Sequence, residues 1–373
     1  LKLNKITQAM SLAALMGASI STSVAMAEEA AADDVEVIQV SGIRGSLKEA
    51  LNAKRFSNTV VDAVSAEDVG KFPDKNVADA LQRIPGVTIS KDFGEGGQVS
   101  IRGTDPDLTL TTLNGQKVAS TGWYVLDPAR RSFNFELMPS EVVSGLEVYK
   151  SPEAKLTEGG IGGVVNMKTR KPLDMESLTI YGGIEGLYSE LSEEMDPSVS
   201  GMVSWKNDDE TFGLLVAGSM AERSTVRQGG ETYWSWGAGI PYFDQKRERT
   251  AIDITAQWKP TEALDLGVHY FNTELEANNT NTNALIMPGR TGVAGDTLTW
   301  ACSESLGCII DEVDSFGNAI VGTHVIDMEP STGFDVGLDN YYREATMESQ
   351  TLDFSAKYSG DTYTVTAQFG STE

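Results

Sequence analysis

The stretch GKFPDKNVADALQRIPG, residues 70–86, decides the fold of the first folded region of this 373-residue chain. Its apolar residues recur at the spacing of one helix face, namely Val77, Ala80, Leu81 and Ile84. Such a face packs against a core, and the following Pro85 and Gly86 stop a helix. We therefore predict an amphipathic helix over residues 76–84, capped by Asp74.

Short β-prone segments surround this helix on both sides. We predict strands near residues 59–64, 87–90, 98–102, 108–113, 145–149 and 164–169. Asn114 and Gly115 form a hairpin turn signal. The glycine-rich turn at 158–163 is not followed by the Lys-Ser/Thr pair of a phosphate-binding loop, so we interpret it as a structural turn. Residues 56–172 are thus predicted to form one compact α/β domain.

Five motifs in this domain occur in a fixed order. They are GKFPDKNVADALQRIPG at 70–86, VSIRG at 99–103, LNG at 113–115, EVYK at 147–150 and EGGIGGVVN at 158–166. Together they resemble the plug domain of TonB-dependent outer-membrane receptors. The resemblance implies a plug inside a β-barrel of 22 strands. It also implies active uptake across the outer membrane of a Gram-negative cell, driven by TonB and its inner-membrane energising complex.

The N-terminus predicts export. Lys2 and Lys5 precede a short apolar stretch at residues 9–20, and Ala25-Met26-Ala27 supplies a small-x-small cleavage site, so residues 1–27 read as a signal peptide. The formal net charge of −25 argues against a nucleic-acid partner. With only two His and two Cys in the chain, we predict no catalytic residue, no metal site and no cofactor.

Residues 28–55 are predicted to be a periplasmic segment that contains one alternating, β-branched run. Its residues are Val35, Glu36, Val37, Ile38, Gln39 and Val40. From the residues alone, this run is equally an edge strand of the next domain or a docking peptide that adds to a partner's sheet. The resemblance places the TonB box here, which makes these six residues the predicted TonB-binding segment.

From Leu178 onward the sequence alternates between apolar and polar residues. We predict strands near 178–188, 198–206, 211–222, 249–259, 264–275, 350–358 and 363–370. Both a soluble β-sandwich and a membrane barrel alternate in this way. Tight links at 207–210, 260–263 and 359–362 alternate along the chain with long links at 223–248 and 276–349. This alternation favours a barrel with its long loops at the cell surface.

The predicted fold class is therefore an α/β plug domain followed by an antiparallel transmembrane β-barrel in outer-membrane lipid. Residues 173–373 would supply its N-terminal part, about seven of the 22 strands that the resemblance implies, and we expect the sequence to be a fragment. Trp205 and Trp258 stand just before tight turns, where a periplasmic aromatic girdle would lie. Cys302 and Cys308 suit a loop-closing disulfide in an oxidising compartment, with two free thiols as the alternative.

The substrate prediction rests on weaker signals. The plug motifs resemble a proteobacterial branch that is often linked to carbohydrate uptake, and aromatic side chains stack on sugar rings. The predicted substrate-binding residues are Trp123, Tyr124, Tyr233, Trp234 and Trp236. We thus expect an oligosaccharide, with a ferric siderophore or a cobalamin-type ligand as the alternative. An adhesin, a passive porin and an outer-membrane enzyme are further alternatives.

Overall fold

A computed structural model describes residues 54–55, 60–65, 76–124, 130–232, 238–288, 308–313, 319–324 and 334–373. The chain divides into two compact units. The first takes in the described parts of Leu1–Ser224, Lys246–Ala277 and Glu344–Glu373, and the second takes in those of Thr225–Gln245 and Asn278–Arg343. Across the described ranges, no helix has the length and apolar character needed to cross a membrane.

In the described part of residues 56–172, the predicted plug domain, there are seven strands and one short α-helix. The strands are β1 (Val61–Ser65), β2 (Val87–Ile89), β3 (Val99–Ile101), β4 (Thr109–Leu113), β5 (Gln116–Lys117), β6 (Val143–Tyr149) and β7 (Gly163–Thr169). Five of them form a sheet in the order β1-β6-β7-β4-β5, in which β4 and β7 run parallel, while β2 and β3 pair separately. All six predicted plug strands are present, each with its ends within three residues of the prediction.

The helix α1 (Val77–Leu81) is shorter than predicted because the chain turns before Pro85. Its N-cap is Asn76, whose side chain accepts a hydrogen bond from the Asp79 N–H at 3.2 Å. Asp74, the predicted cap, lies outside the described residues. The four apolar positions of the predicted face are all buried in the plug core, which confirms that face.

The second sheet follows the plug. Its strands are β8 (Leu178–Ser189), β9 (Glu194–Lys206), β10 (Phe212–Gln228), β11 (Glu231–Thr232), β12 (Ala238–Thr261) and β13 (Leu264–Pro288), then β16 (Phe334–Arg343), β17 (Thr346–Ser359) and β18 (Thr364–Thr372). The main order is β18-β17-β13-β12-β10-β9-β8, with β11 beside β12 and β16 beside β13. Between β13 and β16 the chain forms a separate hairpin of β14 (Cys308–Val313) and β15 (Ala319–His324).

The two faces of this sheet differ in the sense expected for a membrane barrel. The buried face is mainly polar, although Leu215, Phe271 and Leu275 also lie on it. Its polar residues include Ser204, Ser219, Asp253, Thr255, Gln257, His269, Thr273, Ser349, Thr351 and Asp353. The exposed face is apolar and includes Ile180, Ile184, Val203, Leu214, Val216, Ile252, Val268, Leu352, Phe354 and Phe369. A soluble sheet buries its apolar face, so this arrangement favours lipid on the outside and a polar, filled interior.

All seven predicted strands of this sheet are present, and the three tight links fall between them as predicted. The extents of the two long links are wrong, because strands continue into both of them. β10 runs to Gln228 and β12 starts at Ala238, so most of 223–248 is strand. β13 likewise runs to Pro288. Its far half is rich in Asn and Thr and pairs with β16 from Asn279 to Pro288, so ladder hydrogen bonds rather than an apolar face hold it.

Candidate functional site

Buried charges gather where the plug domain contacts strands β10 and β12 of the same unit. Arg247 Nη1 lies 2.7 Å from Glu95 Oε2 and 3.1 Å from Glu136 Oε1. Arg249 Nη1 lies 2.9 Å from Glu95 Oε1 and donates to the Glu136 carbonyl oxygen at 2.8 Å. Arg223 Nη1 is 3.5 Å from Glu95 Oε2. We call these five residues the arginine–glutamate cluster.

Strand geometry explains how the arginines reach one place. Arg247 and Arg249 are two positions apart on β12, so both side chains point to the same face, while Glu248 between them points to the other. That face continues through the buried residues Ala251 and Asp253. Arg223 comes from the neighbouring strand β10. The sheet thus presents three guanidinium groups side by side toward the plug.

Irregular backbone on the plug side positions Glu95. Phe93 has a left-handed φ of 56° and Gly94 a φ of 75°, so the chain reverses just before the carboxylate. Arg223 Nη2 donates to the Gly94 carbonyl oxygen at 2.9 Å. A Cβ at Gly94 would lie 3.2 Å from the same Nη2 atom, so glycine fits both the backbone angle and the close approach.

A short 3-10 turn, Phe135–Leu137, positions Glu136. Asn134 caps this turn by accepting a hydrogen bond from the Glu136 N–H at 3.1 Å, and its amide donates to Glu136 Oε2 at 3.3 Å. The Glu136 carboxylate is therefore held by the Asn134 side-chain amide as well as by Arg247 opposite. Both carboxylates are more than nine-tenths buried.

The two carboxylates respond in opposite ways to this environment. Burial alone would raise the pKa of Glu95, but Arg249, Arg247 and Arg223 outweigh it and lower that pKa from 4.5 to about 2. Burial raises the pKa of Glu136 above its ordinary value, because Arg247 opposes it only in part and the negative charge of Glu95 adds to it. The arginines therefore stabilise the charged form of Glu95 more than that of Glu136.

Three aromatic rings of the plug adjoin the cluster. The Trp123 ring makes edge contacts with Phe93 at 5.0 Å and is tilted against Tyr124 at 5.5 Å between centroids. Phe93 also contacts Tyr124 at 5.7 Å. We call Phe93, Trp123 and Tyr124 the aromatic cluster. The Trp123 indole N–H donates to Glu136 Oε2 at 2.9 Å, and the Arg247 guanidinium lies 5.4 Å from its ring centroid.

A second polar contact between plug and strands lies at the predicted Asn114-Gly115 turn. Gln368 Nε2 on β18 donates to the Asn114 carbonyl oxygen at 2.9 Å and to Asp353 Oδ2 at 2.5 Å. Asn114 Nδ2 lies 3.4 Å from His269 Nδ1, whose Nε2 is 2.6 Å from Asp253 Oδ2. We call this set the asparagine-turn contact. On the plug side it presents neutral groups only.

The predicted site residues fall in different places. Trp123 is only 7% exposed and its ring is covered by its neighbours, whereas Tyr124 is partly exposed. Outside the described residues lie the whole predicted TonB-binding segment 35–40, the predicted signal peptide 1–27, Tyr233, Trp234, Trp236 and Cys302. Cys308 begins β14. The substrate, TonB-box and disulfide predictions therefore remain predictions. Within the described ranges, no group of three or more His, Cys, Asp or Glu side chains is placed to hold a metal ion.

Sequence reasoning missed the arginine–glutamate cluster. One signal was available, because two arginines two positions apart on the polar face of a strand must find anions or water. The anion that pairs with these arginines could not be predicted, since Glu95 and Arg247 are 152 positions apart in the sequence.

Comparison with known proteins identifies the first domain. Residues 53–164 match the family model described as TonB-dependent Receptor Plug Domain. The ferric enterobactin receptor PirA of Pseudomonas aeruginosa is 33% identical over 138 residues, which are 33% of this chain and 18% of the relative. The vitamin B12 transporter BtuB of Photobacterium profundum is 26% identical over 148 residues, 37% of this chain and 23% of the relative.

One relative also matches beyond the plug. The iron-regulated outer membrane virulence protein of Vibrio cholerae is 26% identical over 223 residues, 60% of this chain and 31% of the relative. Among solved structures, the siderophore receptor PirA of Acinetobacter baumannii has a TM-score of 0.40 at 14% identity, covering 86% of this chain and 57% of that one. The matched parts of the chain span less than a third of the length of the three curated relatives. These three are named as a receptor, a transporter and an outer membrane virulence protein.

Proposed function

We propose that this chain, a TonB-dependent receptor with its plug domain at residues 53–164 and antiparallel barrel strands after it, drives active uptake of a scarce ligand across the outer membrane. The observation that carries the proposal is the arginine–glutamate cluster. A plug that is fixed to the sheet by buried ion pairs blocks passive flow, and work is needed to free it. A passive porin has no use for such an arrangement.

The proposed mechanism uses the exported N-terminal segment. Ligand binds at the outer side of plug and strands, and residues 35–40 become available in the periplasm. That segment pairs with a sheet edge of TonB, and the inner-membrane complex supplies the work that separates Glu95 and Glu136 from the arginines. Main-chain pairing bears a pulling load while tolerating varied side chains.

We propose a ferric siderophore or a cobalamin-type ligand as the substrate. The relatives above are named for ferric enterobactin, a siderophore, vitamin B12 or iron regulation, and one of them matches part of the second sheet as well. They give no support to the oligosaccharide prediction. The ring of Trp123, a predicted substrate-binding residue, is covered, so it offers little surface for stacking on a sugar.

The test is uptake with and without the gene. A deletion strain that carries the intact gene should take up labelled ferric enterobactin or vitamin B12 only while the inner membrane is energised. Deletion of residues 35–40 should abolish uptake and leave binding of the same probe intact. Uptake that survives this deletion or a de-energised membrane would refute the mechanism. If growth on an oligosaccharide as the only carbon source required the gene, that result would instead support an oligosaccharide as the substrate.

A further inference from the structure

The aromatic cluster is connected to both carboxylates of the arginine–glutamate cluster. The first connection is a hydrogen bond from the Trp123 indole N–H to Glu136 Oε2 at 2.9 Å, and the Trp123 ring also lies below the Arg247 guanidinium. A charge-assisted hydrogen bond and a buried cation–π contact are each stronger than their exposed counterparts. Any displacement of Trp123 therefore acts on Glu136 and Arg247 together.

The second connection runs through the backbone. Phe93 contacts the Trp123 ring and lies two residues before Glu95. A bulky residue in the left-handed region is strained and keeps that angle only while its surroundings hold it. The ring contact of Phe93 with Trp123 and the hydrogen bond from Arg223 to the Gly94 carbonyl oxygen are two such restraints. Movement of the Phe93 ring would thus shift the Glu95 carboxylate.

We propose that Trp123 is a positioning residue that transmits ligand contact at the aromatic cluster to the arginine–glutamate cluster. This rests on the proposed uptake function and extends it. Phe93 and Tyr124 are the partly exposed rings, and Trp123 is buried between them and the charges. A ligand that carries a flat ring stacks on the two outer rings and displaces Trp123. Glu136 then loses its indole donor, Arg247 loses its ring contact, and the plug loosens before any pulling begins.

The hydrogen bond from the indole N–H to Glu136 can be tested by substitution of Trp123. W123F keeps an aromatic ring and removes the donor to Glu136, together with the second ring of the indole. In the ligand-free, full-length receptor we expect hydrogen–deuterium exchange of plug peptides that contain Glu95 and Glu136 to become about tenfold faster, as for loss of one charge-assisted hydrogen bond. W205F is the matched control, because Trp205 is 47% exposed near a tight turn of the sheet and should leave exchange unchanged.

A second variant separates coupling from general damage. Glu136→Leu removes the acceptor at the other end of the same hydrogen bond and should accelerate exchange at least as much as W123F, because Arg247 loses a partner as well. The double variant W123F/E136L should exchange little faster than E136L alone, because the hydrogen bond between the two residues is already absent. If the two effects multiply, or if W123F exchanges like the unmodified receptor, the proposal is overturned.

The ligand arm uses ferric enterobactin and vitamin B12 as probes. A probe that is taken up should accelerate exchange of the same peptides in the unmodified receptor and should add nothing in W123F. It should bind W123F up to about tenfold more tightly, because its binding no longer breaks the indole hydrogen bond. If neither probe nor any oligosaccharide tested shows energised uptake, the proposed function fails. If a probe is taken up but accelerates exchange equally in W123F and the unmodified receptor, the inference about Trp123 fails and the function stands.

Discussion

Two of the contacts between the plug and the strands differ in their chemistry. At the arginine–glutamate cluster two carboxylates and three guanidinium groups are buried, and each depends on the others for compensation of its lost hydration. At the asparagine-turn contact the plug offers a carbonyl oxygen and an amide to Gln368 and His269. The loss of one partner is therefore costly at the first contact and modest at the second. Four predictions use this difference, from the largest expected effect to the smallest.

Glu95→Gln should have the largest effect. It leaves Arg247 and Arg249 buried against a neutral amide, and removal of one partner from a buried ion pair costs about 3–5 kcal/mol. The readout is the urea dependence of protease cleavage in the plug of the full-length receptor. Glu158→Gln, at an exposed plug position, is the control and should leave the cleavage curve in place. A shift for E95Q no larger than that of the control would contradict the central role of Glu95.

The pH dependence of plug retention should follow Glu95. Because its folded pKa is depressed from 4.5 to about 2, its stabilising contribution is complete above about pH 4.5 and is lost as the pH falls toward 2. Linkage puts the total at ~3 kcal/mol. Protease accessibility of the plug, measured from pH 7 to pH 2.5, should rise in the lower part of this range. In E95Q this rise should be reduced, and an identical profile in both proteins would assign the acid sensitivity to other groups.

Glu136→Gln should cost less than Glu95→Gln, about 1–2 kcal/mol. Burial already disfavours the charged form of Glu136 and raises its pKa, so a neutral amide of the same shape loses less. Its oxygen still accepts from the Trp123 indole. The same urea series compares the stability losses of the two variants. A larger shift for E136Q than for E95Q would contradict the greater role that we give to the Glu95 charge.

Gln368→Ala tests the asparagine-turn contact and should cost plug retention about 1 kcal/mol, the value of its one ordinary hydrogen bond to the plug. Its second hydrogen bond, to Asp353, joins two strands of the sheet and should not affect plug cleavage. Thr366→Ala on the same strand is the control. Because the plug-side partner is a neutral carbonyl oxygen, the cost should not change between low and high salt. A cost equal to that of E95Q would remove the contrast between the two contacts.

The two contacts were not equally predictable from sequence. The Asn114-Gly115 turn was predicted from its own residue types, because a left-handed pair needs Asn and Gly. Its partners His269 and Gln368 belong to predicted strands. The strand register that brings them to the turn cannot be predicted from the residues of the turn or of the strands. The arginine–glutamate cluster escaped prediction for the same reason, since its members are far apart in sequence.

Strand prediction succeeded where the two faces of a strand differ in polarity and failed where they do not. Residues 249–259 alternate between an exposed face with Ile252 and Trp258 and a buried face with Asp253 and Thr255, so the strand there was predicted well. In residues 278–288 of β13, Asn and Thr dominate and the pattern weakens, although the ladder with β16 continues. The ladder there joins backbone groups, and such hydrogen bonds leave little trace in either sequence.

The most direct test of the account is a double-mutant cycle between Glu95→Gln and Arg249→Met, read as the urea dependence of plug cleavage in the full-length receptor. If these side chains hold the plug as a pair across 2.9 Å, the double variant should lose less stability than the sum of the single variants. The expected coupling is about 2 kcal/mol or more. Losses that add to within about 0.5 kcal/mol would show that the two residues act independently and would contradict a plug held by buried charge.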